Sequence, residues 1–438
     1  MKPFSIAILF QVFSLSVLGQ SPTVSPEDSV RQLADSYRYA EAIQLADRYL
    51  VLDSTNFEML NLKARALQAY FQNQGAIGVF ERIYRLDTTR LSTLNDLVNA
   101  NRMTGQYKQA SVYCEKITHL SPDNLYFRTQ LANLYSLDGR FRMALDVLIP
   151  IIRADSSNLY VLRQIGNSFA SLGMADSAIV YYQKALLRDS MDVATTVKLS
   201  NQYILKKAYD TALLITEIFL RVDTTDADVT KQNAYCYYLL RNYAKAQEQF
   251  TRCIELGDWS KLAYKYLGLS YYKADEFVLA EPWFREAYYA DTTDAEVCFY
   301  YGVSATRALN PDTGLMMLNK TLETLGPLTA FLSTVYVQLA EVYNSFNDAD
   351  TALWFLIKAG EQNPSDVKLL FRIGYQYDLH LKNVEMALVY YEKFLSMASA
   401  TDPATNESSL SIAVSFSDYA AARVMEIKKV NSQSSVHQ

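Results

Sequence analysis

Residues that could carry catalysis or bind a metal are few and scattered in this chain of 438 residues. The histidines, His119, His380 and His437, lie too far apart in sequence for any two to form a metal-binding pair on one helix. The sequence also contains no Cys-x-x-Cys pair, no glycine-rich phosphate loop and no Gly-x-Ser-x-Gly nucleophile turn. We therefore predict no catalytic residues, no metal site and no cofactor, and so a protein that is not an enzyme.

The acidic run DTTDAD, residues 223–228, is the stretch that comes nearest to a cation-binding loop. A calcium loop of this kind needs a glycine at its sharp turn and a glutamate at its far end, and the run has neither. Its carboxylates are better placed to accept hydrogen bonds from the free N–H groups at the start of a helix. We interpret the run as a helix cap.

The four cysteines, Cys114, Cys236, Cys253 and Cys298, raise the question of disulfides. Cys236 and Cys253 share one repeat of the pattern described below, but they fall at opposite ends of its helix pair, too far apart for a disulfide. The pattern places Cys114, Cys253 and Cys298 on buried helix positions. We expect buried free thiols.

The elements that would position any site are set by an internal repeat. A small residue recurs every 34 residues, at Ala42, Ala76, Ala110, Ala144, Ala178, Ala212, Ala246, Ala280 and Gly314. The spacing then changes: Ala352 follows after 38 residues and Ala387 after 35. Together these positions mark eleven units. A period of this length is typical of repeat architectures, in which each unit is one supersecondary element.

Other positions move with the same period. A small residue, such as Gly166, stands twelve places before the recurring residue, and a large apolar residue, such as Tyr182, stands four places after it. Small residues let two helix backbones approach closely, and the rings fill the remaining space. Gly105, Gly139 and Gly173 lie five places before it, where glycine can end a helix in the left-handed conformation. Each unit is therefore predicted to be a helix, a tight turn and a second helix.

This small–aromatic–small pattern closely resembles the tetratricopeptide repeat family over roughly residues 23–400. The resemblance implies an all-α protein, a right-handed α-solenoid of about eleven helix-turn-helix repeats. It also implies that the first helices of the repeats line a concave groove that binds a protein or an extended peptide. Residues 20–400 are predicted to form this superhelix, with an irregular stretch near 309–333 that contains Pro311, Gly314 and Pro327.

The two ends of the chain depart from the repeat. Residues 1–19 have a positive start at Lys2, an apolar run and small residues at Val17 and Gly19, which is typical of a secretory signal peptide. We expect an exported protein, periplasmic or secreted, with no transmembrane segment in the mature chain. Residues 401–438 are predicted to be a linker, a capping helix over the last repeat and a loose tail, because a solenoid end needs its apolar face covered.

The exposed positions of the first helices suggest a peptide-binding surface. Eleven places before the recurring small residue, four consecutive repeats carry Asn99, Asn133, Asn167 and Asn201, and Gln130 and Gln164 lie three places before two of them. An amide side chain offers both a donor and an acceptor to a peptide backbone. Repeat duplication on a solvated helix face would produce the same ladder.

Further along the chain the same face becomes aromatic. Its residues are Tyr235, Tyr238, Tyr266, Tyr272 and Tyr300. These rings could stack sugar rings or another small ligand, or they could simply pack between neighbouring repeats. Lys231 with Tyr235, and Lys265 with Leu269, occupy places where the family's carboxylate clamp pairs lysine with asparagine, so that clamp is missing.

The net charge of the chain limits the classes of partner that it could bind. Lys and Arg total 41 against 47 Asp and Glu, giving a net charge of −6. Nucleic-acid binding needs a basic stripe, which the sequence lacks. We predict a non-catalytic scaffold or adaptor of the cell envelope that binds an extended partner segment. The alternatives are a carbohydrate or small-ligand binder and an envelope-assembly subunit, and the sequence carries no signal for an oligomeric state.

Overall fold

The computed structural model describes residues 25–325, 329–398 and 407–434, and this part of the chain is helical with no β-strand. The predicted signal peptide, residues 401–406 of the predicted linker and the last four residues lie outside the described residues. The chain divides after Asp189 into two compact units, which hold the first ten described α-helices and the other thirteen.

The helices follow one another in eleven pairs and a last single helix. They are α1 (Pro26–Asp35), α2 (Tyr39–Leu52), α3 (Phe57–Ala69), α4 (Asn73–Leu86), α5 (Leu91–Met103), α6 (Tyr107–Leu120), α7 (Leu125–Leu137), α8 (Phe141–Ala154), α9 (Leu159–Ser171), α10 (Ala175–Leu186), α11 (Val193–Leu205), α12 (Tyr209–Leu220), α13 (Ala227–Leu239), α14 (Tyr243–Glu255), α15 (Lys261–Lys273), α16 (Phe277–Ala290), α17 (Ala295–Arg307), α18 (Pro311–Thr324), α19 (Thr329–Ser345), α20 (Ala349–Gln362), α21 (Val367–Tyr375), α22 (Val384–Ala398) and α23 (Glu407–Ser434). A π-helix, Gln376–His380, continues α21.

The predicted repeat is confirmed by the positions of its small residues. The recurring alanine, or Gly314, lies in the second helix of all eleven pairs and is buried in each. The close approach of the two helices is clearest at Gly166, where an added Cβ would lie 2.6 Å from Cε1 of the buried Tyr182. Gly268 stands in the same relation to Phe284, at 3.0 Å. The rings therefore pack directly against backbone that only a very small residue leaves open.

The turn inside each repeat has one conformation whatever residue occupies it. Gly105, Gly139 and Gly173 have φ of 72–74°, as their type allows. The equivalent residue in the other eight repeats is not glycine, yet it also has φ between 54° and 64°: Tyr37, Phe71, Lys207, Arg241, Asp275, Leu309, Asn347 and Lys382. The fold imposes the left-handed turn, and these residues adopt it at a cost.

The turns between repeats are built from short polar runs. An aspartate accepts hydrogen bonds from the N–H and the hydroxyl of the Thr or Ser two residues later, as Asp53 does from Thr55 at 2.9 and 2.8 Å. The hydrogen bond from the threonine hydroxyl lowers the pKa of Asp53 and likewise that of Asp223. A later residue then caps the next helix. In the 223–228 run, Asp226 accepts from the N–H of Val229 at 2.8 Å, which is the capping role predicted for the run.

The two irregular intervals of the repeat have separate structural causes. The four extra residues between Gly314 and Ala352 lie in α19, which has 17 residues where α17 has 13. The one extra residue before Ala387 is absorbed by the π-helix, whose wider turn takes in an inserted residue without ending the helix.

The stretch near 309–333 is only partly within the described residues. Pro311 occupies the first turn of α18, where a missing N–H costs nothing, and Asn310 caps the helix by accepting from the N–H of Thr313. Gly314 packs against Gly302 and Thr306 of α17. Residues 326–328 are not described, so the irregularity of this stretch stays a prediction.

The last helix, α23, packs on the final pair. Phe416 stacks on Phe371 of α21 with ring centroids 4.5 Å apart. Arg423 donates two hydrogen bonds to the carboxylate of Asp378, at 2.8 and 2.9 Å, and the Asp378 side chain is fully buried. Among the described helices, none combines the length and the apolar character needed to cross a bilayer.

Candidate functional site

Three of the predicted asparagines form one surface in the first unit. Asn99, Asn133 and Asn167 are each the ninth residue of their helix, α5, α7 and α9, and each is half-buried. Gln130 and Gln164 lie one turn earlier on α7 and α9 and are half-buried too. We call these five residues the amide face. The 34-residue period places chemically equivalent side chains at equivalent points of successive helices.

The side-chain amides of this face differ in whether they make hydrogen bonds within the protein. Within the described residues, the side chains of Asn99 and Asn133 make no hydrogen bond, and neither do those of Gln130 and Gln164. The carbonyl oxygen of Asn167, by contrast, accepts a 2.9 Å hydrogen bond from the hydroxyl of Tyr182, the buried ring of its own repeat. Two of the three asparagines therefore keep both the donor and the acceptor of their amide available.

A carboxylate occupies the place one turn before Asn99. Asp96 is half-buried, and burial raises its pKa while the nearby charge of Arg65 opposes that shift. It is the counterpart of Gln130 and Gln164, but it is not an amide and so does not belong to the amide pattern of the sequence. A negative group at this end of the amide face would favour a cationic or hydrogen-donating partner group.

The fourth asparagine, Asn201, lies on α11 in the second unit and differs from the others. It is exposed, and its carbonyl oxygen accepts a 2.8 Å hydrogen bond from the side chain of Gln232 on α13. Gln232 is itself buried and also bonds the hydroxyl of Ser200 at 3.2 Å. Asn201 thus takes part in a polar contact between two repeats.

The predicted tyrosines pack on one another in two clusters in the second unit. The ring of Tyr266 contacts those of Tyr235 and Tyr238 edge-on, with centroids 4.7 and 5.1 Å apart. It also stacks on Phe250 of α14 at 6.1 Å. In the second cluster Tyr272 meets Tyr300 edge-on at 4.9 Å, and Tyr300 stacks on Phe284. We call the five tyrosines the tyrosine face.

Burial and ion pairs make the tyrosine face a packed surface. All five rings are half-buried, and burial raises the pKa of Tyr238 to about 12. Lys231 binds Asp258 at 2.6 Å, and Lys265 binds Glu296 at 2.6 Å, so both lysines beside the rings are paired with carboxylates of the described chain.

One site was missed at the level of sequence. A cavity of about 500 Å³ lies in the second unit, walled by four rings: Phe371, Tyr375, Phe416 and Tyr419. The clue was the interval of 35 residues before Ala387, because the inserted residue forms the π-helix beside this cavity.

Groups suited to catalysis do not assemble within the described residues. There is no cluster of three or more His, Cys, Asp or Glu side chains placed to hold a metal ion in that part of the chain. The four cysteines are buried, and burial raises the pKa of the Cys236 and Cys298 thiols to about 11, so a thiolate nucleophile is disfavoured.

The fold places the chain among known repeat structures. No protein-family model matches it, and no curated protein matches it significantly. Solved structures similar to it include a tetratricopeptide repeat protein from Parabacteroides merdae, 15% identical with a TM-score of 0.43 over 58% of this chain and 98% of that one. PilF of Pseudomonas aeruginosa is 15% identical, with a TM-score of 0.41 over 49% of this chain and 96% of its own.

A third similar structure is YrrB, described as a tetratricopeptide repeat protein with an unusual peptide-binding site. It is 17% identical, with a TM-score of 0.33 over 51% of this chain and 96% of its own. At these values the fold assignment rests on the chain itself. With eleven helix pairs, a buried small residue every 34 residues and a ring packed against it, the chain is a tetratricopeptide repeat protein in fold.

Proposed function

We propose that the protein is a non-catalytic scaffold that holds an extended segment of a partner protein on the amide face. The observation that supports this most directly is the pair Asn99 and Asn133: two half-buried amides, at the same place on successive first helices, with no hydrogen-bond partner within the described chain. Asparagine is a poorer helix former than alanine, so the fold alone gives no reason to keep it there.

The chemistry of these amides fits a peptide backbone. Each can donate to a carbonyl and accept from an N–H, which an extended strand presents at every residue. Packed helices lie about 8–10 Å apart, and an extended chain advances roughly 3.3 Å per residue. Amides on successive repeats would therefore meet about every third residue of the bound segment. Such a contact reads the backbone and gives low sequence selectivity.

Removal of the two uncommitted amides tests the proposal. The protein is used to capture partners from a cell-envelope extract, and the affinity of the main captured partner is measured. Asn99→Ala with Asn133→Ala should weaken binding about tenfold, which corresponds to about 1.4 kcal/mol. The matched control is Gln44→Ala with Gln109→Ala, which removes two exposed amides from second helices. Equal binding by both double variants and the wild type would refute the role of the amide face.

The proposed place of action is the cell envelope, and it depends on residues 1–19 alone. If these residues are a signal peptide, the exported protein begins at Gln20. The intact mass of protein recovered from the periplasm or medium tests this. A protein that keeps its first 19 residues would remove the envelope role but would leave peptide binding by the amide face open.

A further inference from the structure

The aromatic cavity in the second unit has the features of a binding pocket. We call it the terminal pocket; its walls are α19, α20, α21 with its π-helix, and α23. The lining residues with apolar side chains are Val337, Ala340, Leu356, Phe371 and Phe416, with the rings of Tyr375 and Tyr419. Its 500 Å³ falls within the range of about 300–1,000 Å³ that small-molecule pockets occupy.

The terminal pocket differs from cavities that the repeat produces by itself. A cavity of about 390 Å³ is lined by Leu220, Arg221 and Arg252, and one of about 450 Å³ by Ile152, Arg153 and Lys184. Each residue of the first set stands 68 positions, or two repeats, after its counterpart in the second. Such cavities mark the ordinary groove between neighbouring repeats. The terminal pocket instead needs the π-helix and the capping helix, which occur once among the described elements.

Its aromatic walls are held in place by contacts outside the cavity. Phe371 stacks on Phe416 at 4.5 Å and meets Tyr419 edge-on at 5.8 Å. The helix that carries Phe416 and Tyr419 is fastened by the two hydrogen bonds from Arg423 to the buried Asp378. A π-turn of this kind often lies at a functional site, and here it absorbs an inserted residue beside the pocket.

The polar groups at the pocket are already paired with each other. Asn344 and Gln376 exchange two hydrogen bonds between their side-chain amides, at 2.9 and 2.7 Å. Arg372 binds Glu341 at 3.2 Å on the exposed edge. No buried polar atom of these residues is left without a partner. An apolar group can therefore enter without displacing an internal hydrogen bond, while the charged pair and His380 stay at the rim.

The position of the pocket on the repeat indicates what carries that apolar group. Tyr375 is the ninth residue of α21, as Asn133 is of α7, and Arg372 corresponds to Gln130 one turn earlier. Glu341 holds the equivalent place before Ala352. The pocket thus opens at the positions that form the amide face in the first unit, where the proposed function places a polypeptide.

We propose that the terminal pocket binds an aromatic side chain of a partner polypeptide, whose flanking peptide groups meet the Arg372–Glu341 pair at the rim. The ring would stack among Phe371, Tyr375, Phe416 and Tyr419, which offer both faces and edges to it. Only the polypeptide source of the ring rests on the proposed function; the affinity of the pocket for a capped aromatic residue does not.

The test uses the full-length protein and three probes: N-acetyl-phenylalaninamide, N-acetyl-alaninamide and free phenylalanine. Binding is followed by saturation-transfer NMR. Val337→Phe should fill part of the pocket, and it introduces the ring that the ninth repeat already carries at this place as Phe299. The matched control is Val197→Phe, the same exchange at the same half-buried repeat position on α11. A second variant, Phe416→Ala, removes one wall, and circular dichroism confirms that each variant is folded.

The expected result is binding of the aromatic probe, but not the alanine probe, to the wild type and to Val197→Phe. Val337→Phe and Phe416→Ala should each weaken it about tenfold or more, since a lost ring contact leaves few others for so small a ligand. Equal binding by all four proteins, or no binding by the wild type, would overturn the pocket. Free phenylalanine binding far more tightly than its capped amide would overturn the polypeptide source. Neither outcome affects the amide-face test, because that test depends on variants of Asn99 and Asn133.

Discussion

Repeats three to five and repeats seven to nine use the same helix position in opposite ways. In the first group the position carries Asn99, Asn133 and Asn167, all half-buried on the amide face. In the second it carries Tyr235, Leu269 and Val303, and the last two are only 3% and 1% exposed. One position thus presents hydrogen-bonding groups in one region and adds to the apolar core in the other. The repeat fixes where a side chain lies, and its type decides whether that place serves binding or stability.

The two regions also differ in the residue that forms the turn inside each repeat. Gly105, Gly139 and Gly173 give repeats three to five a left-handed turn that glycine adopts without strain. Arg241, Asp275 and Leu309 adopt that turn in repeats seven to nine with φ of 60–64°. The region with relaxed turns carries the uncommitted amides. The region with strained turns contains the packed tyrosines.

The largest expected effect on stability comes from removing a ring of the tyrosine face. Tyr266→Ala removes a ring that packs on Tyr235, Tyr238 and Phe250, and should lower the free energy of unfolding by about 3 kcal/mol. Urea unfolding followed by circular dichroism measures it. Tyr266→Phe is the control, because it keeps the ring and should retain most of the stability. A Tyr266→Ala protein as stable as the wild type would make the tyrosine face a free surface and return it to ligand binding.

Most of the fold was predictable because the repeat appears in the sequence as small and large side chains at fixed spacings. Ala178 and Tyr182 are small and large for a steric reason, and steric reasons recur with each copy. The two irregular intervals were visible as counts, but not as structures. Four extra residues lengthen α19, whereas one extra residue becomes a π-helix, and no local sequence pattern distinguishes the two outcomes.

The candidate site was less predictable, since hydrogen bonding depends on neighbours distant in sequence. The ladder Asn99, Asn133, Asn167 and Asn201 looks uniform as a sequence, yet Tyr182 and Gln232 engage its last two members. The five tyrosines were expected to pack or to bind, and the ring distances favour packing. The terminal pocket depends on Phe416 and Tyr419, which lie outside the repeat and therefore outside its register.

A smaller effect should follow from exchanging the turn residues between the regions. Arg241→Gly should raise the free energy of unfolding by about 1 kcal/mol, because glycine adopts the left-handed conformation without the steric strain that a side chain causes there. Gly139→Ala should lower it by about 1 kcal/mol for the converse reason. Both are read from thermal and urea unfolding. A stabilising effect of Gly139→Ala would mean that this turn relaxes to another conformation, and the contrast between the regions would fail.

The smallest expected change in stability, and the one that best separates binding from folding, concerns Asn99 and Asn133. Asn99→Ala and Asn133→Ala remove amides that make no hydrogen bond within the described chain, and alanine is the better helix former by about 0.7 kcal/mol. The pair should therefore leave the free energy of unfolding unchanged or raise it by up to about 1 kcal/mol.

Asn167→Ala should act in the other direction. It leaves the hydroxyl of Tyr182, a residue only 1% exposed, without the acceptor that it has at 2.9 Å, and an unpaired buried group costs about 1–3 kcal/mol. Thermal unfolding of the three single variants measures the signs directly. If all three lose stability alike, the asparagines of the amide face are structural, and the weaker partner binding of the double variant would reflect a damaged fold. If Asn99→Ala and Asn133→Ala are neutral while Asn167→Ala is not, a loss of binding in the first two reports contact with the partner.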